Sequence, residues 1–152
     1  PPTLMFPVNG TLLSTSFGNG LLPHELFTGD HPLLEKAYHP MTVKFFMLQT
    51  HYRSTLDFSN EALQASEKGL KRLWDAYENL QKINYVTSEI DEEVEQKVLT
   101  LVNELDDFMD DDFNTAKVLA NMFELVLVIN SMKDGLIHIC AVKEETFALL
   151  RK

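Results

Sequence analysis

A mainly α-helical fold is predicted by three features of this sequence. Apolar residues recur at helical spacing in three long stretches after position 59. Residues suited to capping stand where those stretches begin, as at Ser59 and Asn114. The first 30 residues, rich in Pro, Gly, Ser and Thr, show no sustained period. The expected architecture is an extended lead-in at 1–30, a linking helical unit at 31–58, and an antiparallel helical bundle over 59–152.

Taken in order, the lead-in holds one short helical turn at Pro23 to Phe27, where proline suits the first helical position. Gly29-Asp30-His31-Pro32 is a turn, and Leu33 to Tyr38 is expected to start a short helix. His39 to Tyr52 then forms a central helix with Val43, Phe46, Met47 and Thr50 along one side and Lys44, Gln49 and Arg53 elsewhere. A long helix runs from Asn60 to about Ile83 behind Ser59, with Leu63, Leu70, Leu73, Trp74, Tyr77 and Leu80 as its buried stripe. After a loop at Asn84 to Ser88, a second helix extends from Glu89 or Ile90 to Met109, apolar through Ile90, Val94, Val98, Leu101, Val102, Leu105 and Phe108 and acidic outside. A third begins at the cap Asn114 and reaches Lys133; Gly135 interrupts the pattern before Leu136 to Val142. Glu144 to Lys152 reads as helix with no terminating residue, so the chain is expected to be cut within an element.

Composition narrows the function. The 152 residues carry a net charge of −10, which argues against the whole chain acting as a nonspecific nucleic-acid binder. That excess is concentrated: Glu89 to Asp112 holds eleven acids and one base, Lys97, and the remainder is balanced. No apolar run approaches the roughly 20 residues a membrane span requires, the greasiest stretch, Val118 to Ile129, being interrupted by Asn121 and Glu124. The start, Pro1-Pro2-Thr3, lacks the features of a secretion signal, so no membrane partner and an intracellular, cytoplasmic setting are expected. The single Cys140 can form neither an internal disulfide nor a zinc site alone and reads as a small core residue. The aspartates at 106, 107, 110, 111 and 112 lack the Gly turn and terminal Glu of a calcium loop, and the last three suit the positive N-terminal end of the next helix. No phosphate cradle, nucleophile elbow or metal-binding histidine pair is present, and His51 is expected to bond backbone at a helix end. No catalytic residue and no metal ligand is assigned.

The stretch HPMTVKFFMLQTHYRSTLDFS, from His39 to Ser59, resembles the segment of cysteinyl-tRNA synthetases that opens their helical anticodon-binding DALR domain. Met41-Thr42-Val43-Lys44 stands where the name-giving tetrapeptide would be, while His51-Tyr52-Arg53-Ser54 and Asp57-Phe58-Ser59 fit the cysteine-specific branch. Asp112-Phe113-Asn114-Thr115-Ala116 is similar to the turn that introduces a core helix of that bundle. Asn9 to Asn19 resembles the ATP-handling KMSKS loop of class I synthetases, with Leu12 to Ser16 in the five positions and both lysines absent.

The resemblance implies the C-terminal, tRNA-binding part of an enzyme that attaches cysteine to its tRNA with ATP. Its catalytic domain, with the HIGH motif and the zinc that recognises the cysteine thiolate, would lie upstream. These 152 residues alone are not expected to catalyse or to hold a cofactor; ATP and zinc are implied only for the full-length family. Ser14, Ser16, Gly18 and Asn19 are then a remnant of the ATP loop. Lys44, Arg53, Lys68, Lys71 and Arg72 are the candidates for contact with cysteine tRNA, and the other implied partner is the absent catalytic domain. The alternative is a structural or protein-interaction bundle without tRNA binding.

Overall fold

Six helices follow one another along the described residues: α1 (Pro23–Thr28), α2 (Pro40–Leu48), α3 (Asn60–Lys82), α4 (Glu92–Asp110), α5 (Thr115–Lys133) and α6 (Glu144–Leu150). The computed structural model describes residues 7–8, 11–12, 20–85, 89–135 and 141–151. Ahead of the helices, β1 (Pro7–Val8) pairs antiparallel with β2 (Thr11–Leu12), Pro7 opposite Leu12 and Val8 opposite Thr11. The mainly α fold is the one expected. Two compact units divide the chain, Pro1–Leu70 and Lys71–Lys152, and the boundary falls inside α3.

In the first unit, α1 opens at Pro23, and the Glu25 carboxylate reaches back to accept the Leu22 N–H at 2.6 Å, satisfying a donor that the helix itself leaves open. The helix closes on Gly29 at φ 74°, whose N–H donates to the Glu25 carbonyl. A Cβ at Gly29 would stand 2.5 Å from the Ala37 backbone nitrogen, so glycine is required twice over, by its left-handed conformation and by the close approach. The helix expected from Leu33 to Tyr38 does not form. Its polar groups go to Asn60 instead: the Glu35 N–H donates to Asn60 Oδ1, Asn60 Nδ2 donates to the Leu33 carbonyl, and the hydroxyl of the buried Tyr38 lies 3.2 Å from Asn60 Oδ1. Those groups tie the segment to the first residue of α3, a tertiary pairing that overrides local helix propensity.

The central helix is shorter than the expected His39 to Tyr52. His39 is its N-cap, its Nδ1 accepting the Met41 N–H, and α2 ends at Leu48. Val43 and Phe46 enter the core with Leu26, Tyr38, Leu56, Phe58 and Leu63, while Met47, expected among them, is exposed. Phe46 and Phe58 meet with centroids 5.1 Å apart. Ser59 caps α3 as expected, its Oγ accepting the Ala62 N–H.

The second unit is built on the last turns of α3 together with α4, α5 and α6. Asp91, whose carboxylate accepts the N–H groups of Glu93 and Val94, starts α4 two residues later than expected and leaves Ile90 exposed. α4 and α5 run antiparallel, since Lys97 pairs with Glu124, Asn121 donates to the Leu101 carbonyl and to Glu104, and Lys117 lies over the Phe108 ring. The turn between them carries Asp112 and Phe113 at φ 57° and 52°, with Asn114 capping α5 through the Lys117 N–H. By length and composition alone α5 passes for a membrane span, a test that core helices also pass, and Leu125, Val126, Val128, Ile129 and Met132 are buried in the unit's core as a bundle helix requires. Ala141 and Val142 are buried too; Leu136 to Cys140 lie outside the described residues.

Two polar devices fix the ends of this unit. Glu95, expected on the acidic outer face of α4, is only 3% exposed: its Oε2 accepts the Lys143 N–H at 2.8 Å and its Oε1 accepts the Thr146 hydroxyl at 2.6 Å. A carboxylate on α4 thereby holds the beginning of α6. Arg151 lies over the Phe147 ring and donates to the carbonyls of Leu80, Gln81 and Ile83, the acceptors left open where α3 ends. Cation and helix C-terminus also attract each other through the helix dipole.

Candidate nucleic-acid interface

Two candidate cations of the first unit, Lys44 and Arg53, lie in α2 and just beyond its end. Lys44 is exposed on the side of the helix away from Val43 and Phe46. Past the end of α2 the chain turns through His51, Tyr52 and Arg53 into a small stacked cluster. The His51 and Tyr52 rings lie 4.8 Å apart at 25°, His51 Nδ1 accepts the Arg53 N–H at 3.3 Å, and Arg53 Nε donates to the Tyr52 hydroxyl at 3.0 Å. The Arg53 guanidinium is 5.4 Å from the Tyr52 ring centroid. His51 thus bonds to backbone as expected, and it does so as His31 and His39 do, each accepting an N–H from two residues on. The arrangement holds a cation and an aromatic face together at the surface, a pairing suited to phosphate and base contact.

The other candidates lie on α3, where Lys68, Lys71 and Arg72 are all exposed. Lys71 forms an ion pair with Asp75 one turn on, at 2.9 and 3.0 Å to its two oxygens, and the Arg72 guanidinium lies 5.8 Å from the centre of the Phe123 ring. A phosphate approaching Lys71 therefore competes with a carboxylate already in place, an exposed pair that costs little to open. Ser14, Ser16, Gly18 and Asn19 of the expected ATP-loop remnant lie outside the described residues.

The same stretch of α3 corrects the expected stripe. Trp74 and Tyr77 were expected inside, but they are 53% and 51% exposed, their rings meeting edge to face at 6.1 Å and 83°. The buried residues of α3 are Leu63 and Ser66 in its first half and Ala76 and Leu80 in its second, with Ile83 just beyond. At about 100° per residue the second set lies roughly a quarter turn from the first, which carries Trp74 and Tyr77 outward. Tyr77 borders an open apolar groove of about 130 Å³ lined also by Leu73, Met122, Leu125, Ile129 and Leu150.

An α4–α5–α6 assembly that begins in α4 defines the class: residues 104–152 match the DALR domain. Most of the chain also has relatives of one kind. It is 46% identical over 133 residues to the cysteine–tRNA ligase of Parabacteroides distasonis, covering 86% of this chain and 26% of that protein. The Bacteroides thetaiotaomicron cysteine–tRNA ligase is 48% identical over 131 residues, 86% of this chain and 26% of its own length. That of Cytophaga hutchinsonii is 40% identical over 145 residues, 94% and 29% of the two chains. The chain is homologous to a stretch of cysteine–tRNA ligases and spans about a quarter of the length of these relatives. The family resemblance drawn from His39 to Ser59 and from Asp112 to Ala116 is thereby borne out.

Proposed function

We propose that this chain is the tRNA-binding C-terminal part of a cytoplasmic cysteinyl-tRNA synthetase and contacts cysteine tRNA. The single observation that carries the reading is the DALR-domain match at residues 104–152 within a chain homologous to cysteine–tRNA ligases. The stacked His51–Tyr52–Arg53 cluster and the exposed cations Lys44, Lys68, Lys71 and Arg72 supply chemistry suited to backbone contact. Binding ATP and joining cysteine to tRNA would fall to the whole enzyme. In this reading the 9–19 loop is the remnant of its ATP-handling loop. With Leu12 and Thr15 in the lysine positions it has no cation to meet a triphosphate, so the chain by itself does not activate cysteine.

The test is binding of the 152-residue chain to cysteine tRNA and to an unrelated tRNA across a salt series. The expected result is preference for cysteine tRNA, weakening with salt, and reduced affinity in Arg53→Ala and in the triple Lys68→Gln, Lys71→Gln, Arg72→Gln variant. Equal affinity for both tRNAs, or none for either at low salt in a chain that circular dichroism shows to be folded, would reject it. The acidic balance and the Lys71–Asp75 pair favour the second reading, a structural or protein-interaction bundle, and absence of all RNA binding is what that reading requires.

A further inference from the structure

Within the tRNA-binding reading, we infer that Ser66 and Gln49 are positioning residues for Arg53, holding it where it meets a backbone phosphate of the tRNA. Ser66 is 1% exposed on α3, one turn after the buried Leu63, where an apolar side chain would pack as well. Its hydroxyl lies 2.8 Å from the Ala62 carbonyl and 2.9 Å from the side-chain oxygen of Gln49. The bond to Ala62 alone satisfies a serine inside a helix. The contact with Gln49 therefore serves Gln49, the residue at which the chain leaves α2.

Gln49 is the first of two anchors. The second is Leu56, buried with Phe46 and Phe58 in the core of the first unit. Between them Thr50 to Thr55 makes a surface turn, closed by the Ser54 N–H donating to the His51 carbonyl at 2.8 Å and by the Arg53 N–H donating to His51 Nδ1. Tyr52 and Arg53 take its two central positions, and the bond from Arg53 Nε to the Tyr52 hydroxyl sets the direction of the guanidinium. A turn tied at both ends keeps its tip in place before a ligand arrives, so less order is lost when a phosphate binds. Without the Ser66 hydroxyl, Gln49 loses its side-chain hold and the tip is fixed from the Leu56 side alone. A guanidinium that wanders no longer presents the planar fork that matches phosphate oxygens. Lys44, in the body of α2, does not depend on this tie and serves as the control.

The test is filter binding of the 152-residue chain to cysteine tRNA across a salt series, with Ser66→Ala and Gln49→Ala each made alone, with Arg53→Ala and with Lys44→Gln. Alanine is at least as good a helix former as serine, so α3 persists in Ser66→Ala. Gln49 is exposed, so Gln49→Ala carries the same test should the buried substitution unfold the chain. The expected result is a loss of affinity of roughly two- to tenfold in either variant, the size of coupling usual within one bonded network. The salt slope should flatten toward that of Arg53→Ala. Neither change should weaken binding further once Arg53 is alanine, whereas both should add to Lys44→Gln. In the RNA-free chain the Arg53 Nε–H resonance should move in Ser66→Ala, a signature of the guanidinium itself. Undiminished binding in Ser66→Ala and Gln49→Ala, or losses that add to that of Arg53→Ala, overturns the positioning role and leaves the tRNA reading standing. Undiminished binding in Arg53→Ala overturns the positioning role as well. No binding of cysteine tRNA to the folded parent chain overturns both.

Discussion

Removing the Glu95 carboxylate should release α6 from α4 and destabilise the second unit by about 3 kcal/mol. The figure follows from the geometry. Glu95 accepts two hydrogen bonds inside the protein, from the Lys143 N–H at 2.8 Å and the Thr146 hydroxyl at 2.6 Å. A hydrogen bond to a charged group contributes about 1.5–3 kcal/mol. The pair together is offset by the cost of taking a carboxylate out of water, which Glu95→Ala gives back. Alanine also leaves the buried Thr146 hydroxyl and the Lys143 N–H without that partner, which adds to the loss. Thr146→Val removes one of these bonds without opening a space and should cost about 1.5–3 kcal/mol. The double variant should be less destabilised than the sum of the singles, by about 1–2 kcal/mol, because the second change has one fewer bond to break. Urea unfolding followed by circular dichroism measures all three, and hydrogen exchange at the Lys143 amide reports the local release. The reasoning is refuted if Glu95→Ala costs less than about 0.5 kcal/mol and the two substitutions are additive.

Three further outcomes are expected. Arg151→Ala should cost about 1.5–3 kcal/mol by stripping the Leu80, Gln81 and Ile83 carbonyls of their donor, and Arg151→Lys should recover only part of it, because an ammonium cannot reproduce the planar fork; chemical denaturation decides both. Gly29→Ala should destabilise the first unit by at least about 1–2 kcal/mol, since φ is 74° and the new Cβ would meet the Ala37 backbone; a loss no larger than that of an ordinary surface alanine would count against it. The hydrogen bond to Glu67 raises the Lys36 ammonium above its ordinary value of 10.5. The sign follows: the pair's contribution is complete below the unfolded-state value and disappears as pH rises through the higher folded one. Glu67→Gln should bring the Lys36 midpoint down in an NMR titration, and an unmoved midpoint would show that the pair does not form in solution.

The long helices were legible because their signals are local. Ser59 and Asn114 cap where side-chain chemistry predicts, and the periods of α4 and α5 survive in the core. Three misreadings have one cause. Leu33 to Tyr38 has helix-compatible residues, but Asn60, 25 residues after Glu35, claims its backbone groups. Glu95 lies among acids that face water, and only the arrival of Thr146 from 51 residues away makes its position interior. Trp74 and Tyr77 fit a single stripe, and they fall outside because the two halves of α3 bury different faces. Each partner is remote in sequence, so no local period encodes it. The β1–β2 pairing is different, since Asn9-Gly10 between two short apolar segments is a hairpin signal available to a reader of the sequence alone.

The chemistry of the candidate interface was half legible for the same reason. Charge can be counted in a sequence, so Lys44, Arg53, Lys68, Lys71 and Arg72 could be named, but the neighbours that modify each charge come from the fold. Arg53 is held against Tyr52, Lys71 by Asp75, and Arg72 over Phe123. Among the described residues these three cations already have partners, two of them aromatic. A guanidinium over a ring keeps its charge while presenting a flat surface, so Arg53 and Arg72 can meet a phosphate and a base with the same group. Lys71 can meet a phosphate only by leaving Asp75. If the proposed tRNA binding holds, a net charge of −10 weakens long-range attraction, and contacts of the first kind would carry more weight than the count of positive residues. Recognition through either guanidinium would depend on exposed ring faces at least as much as on charge.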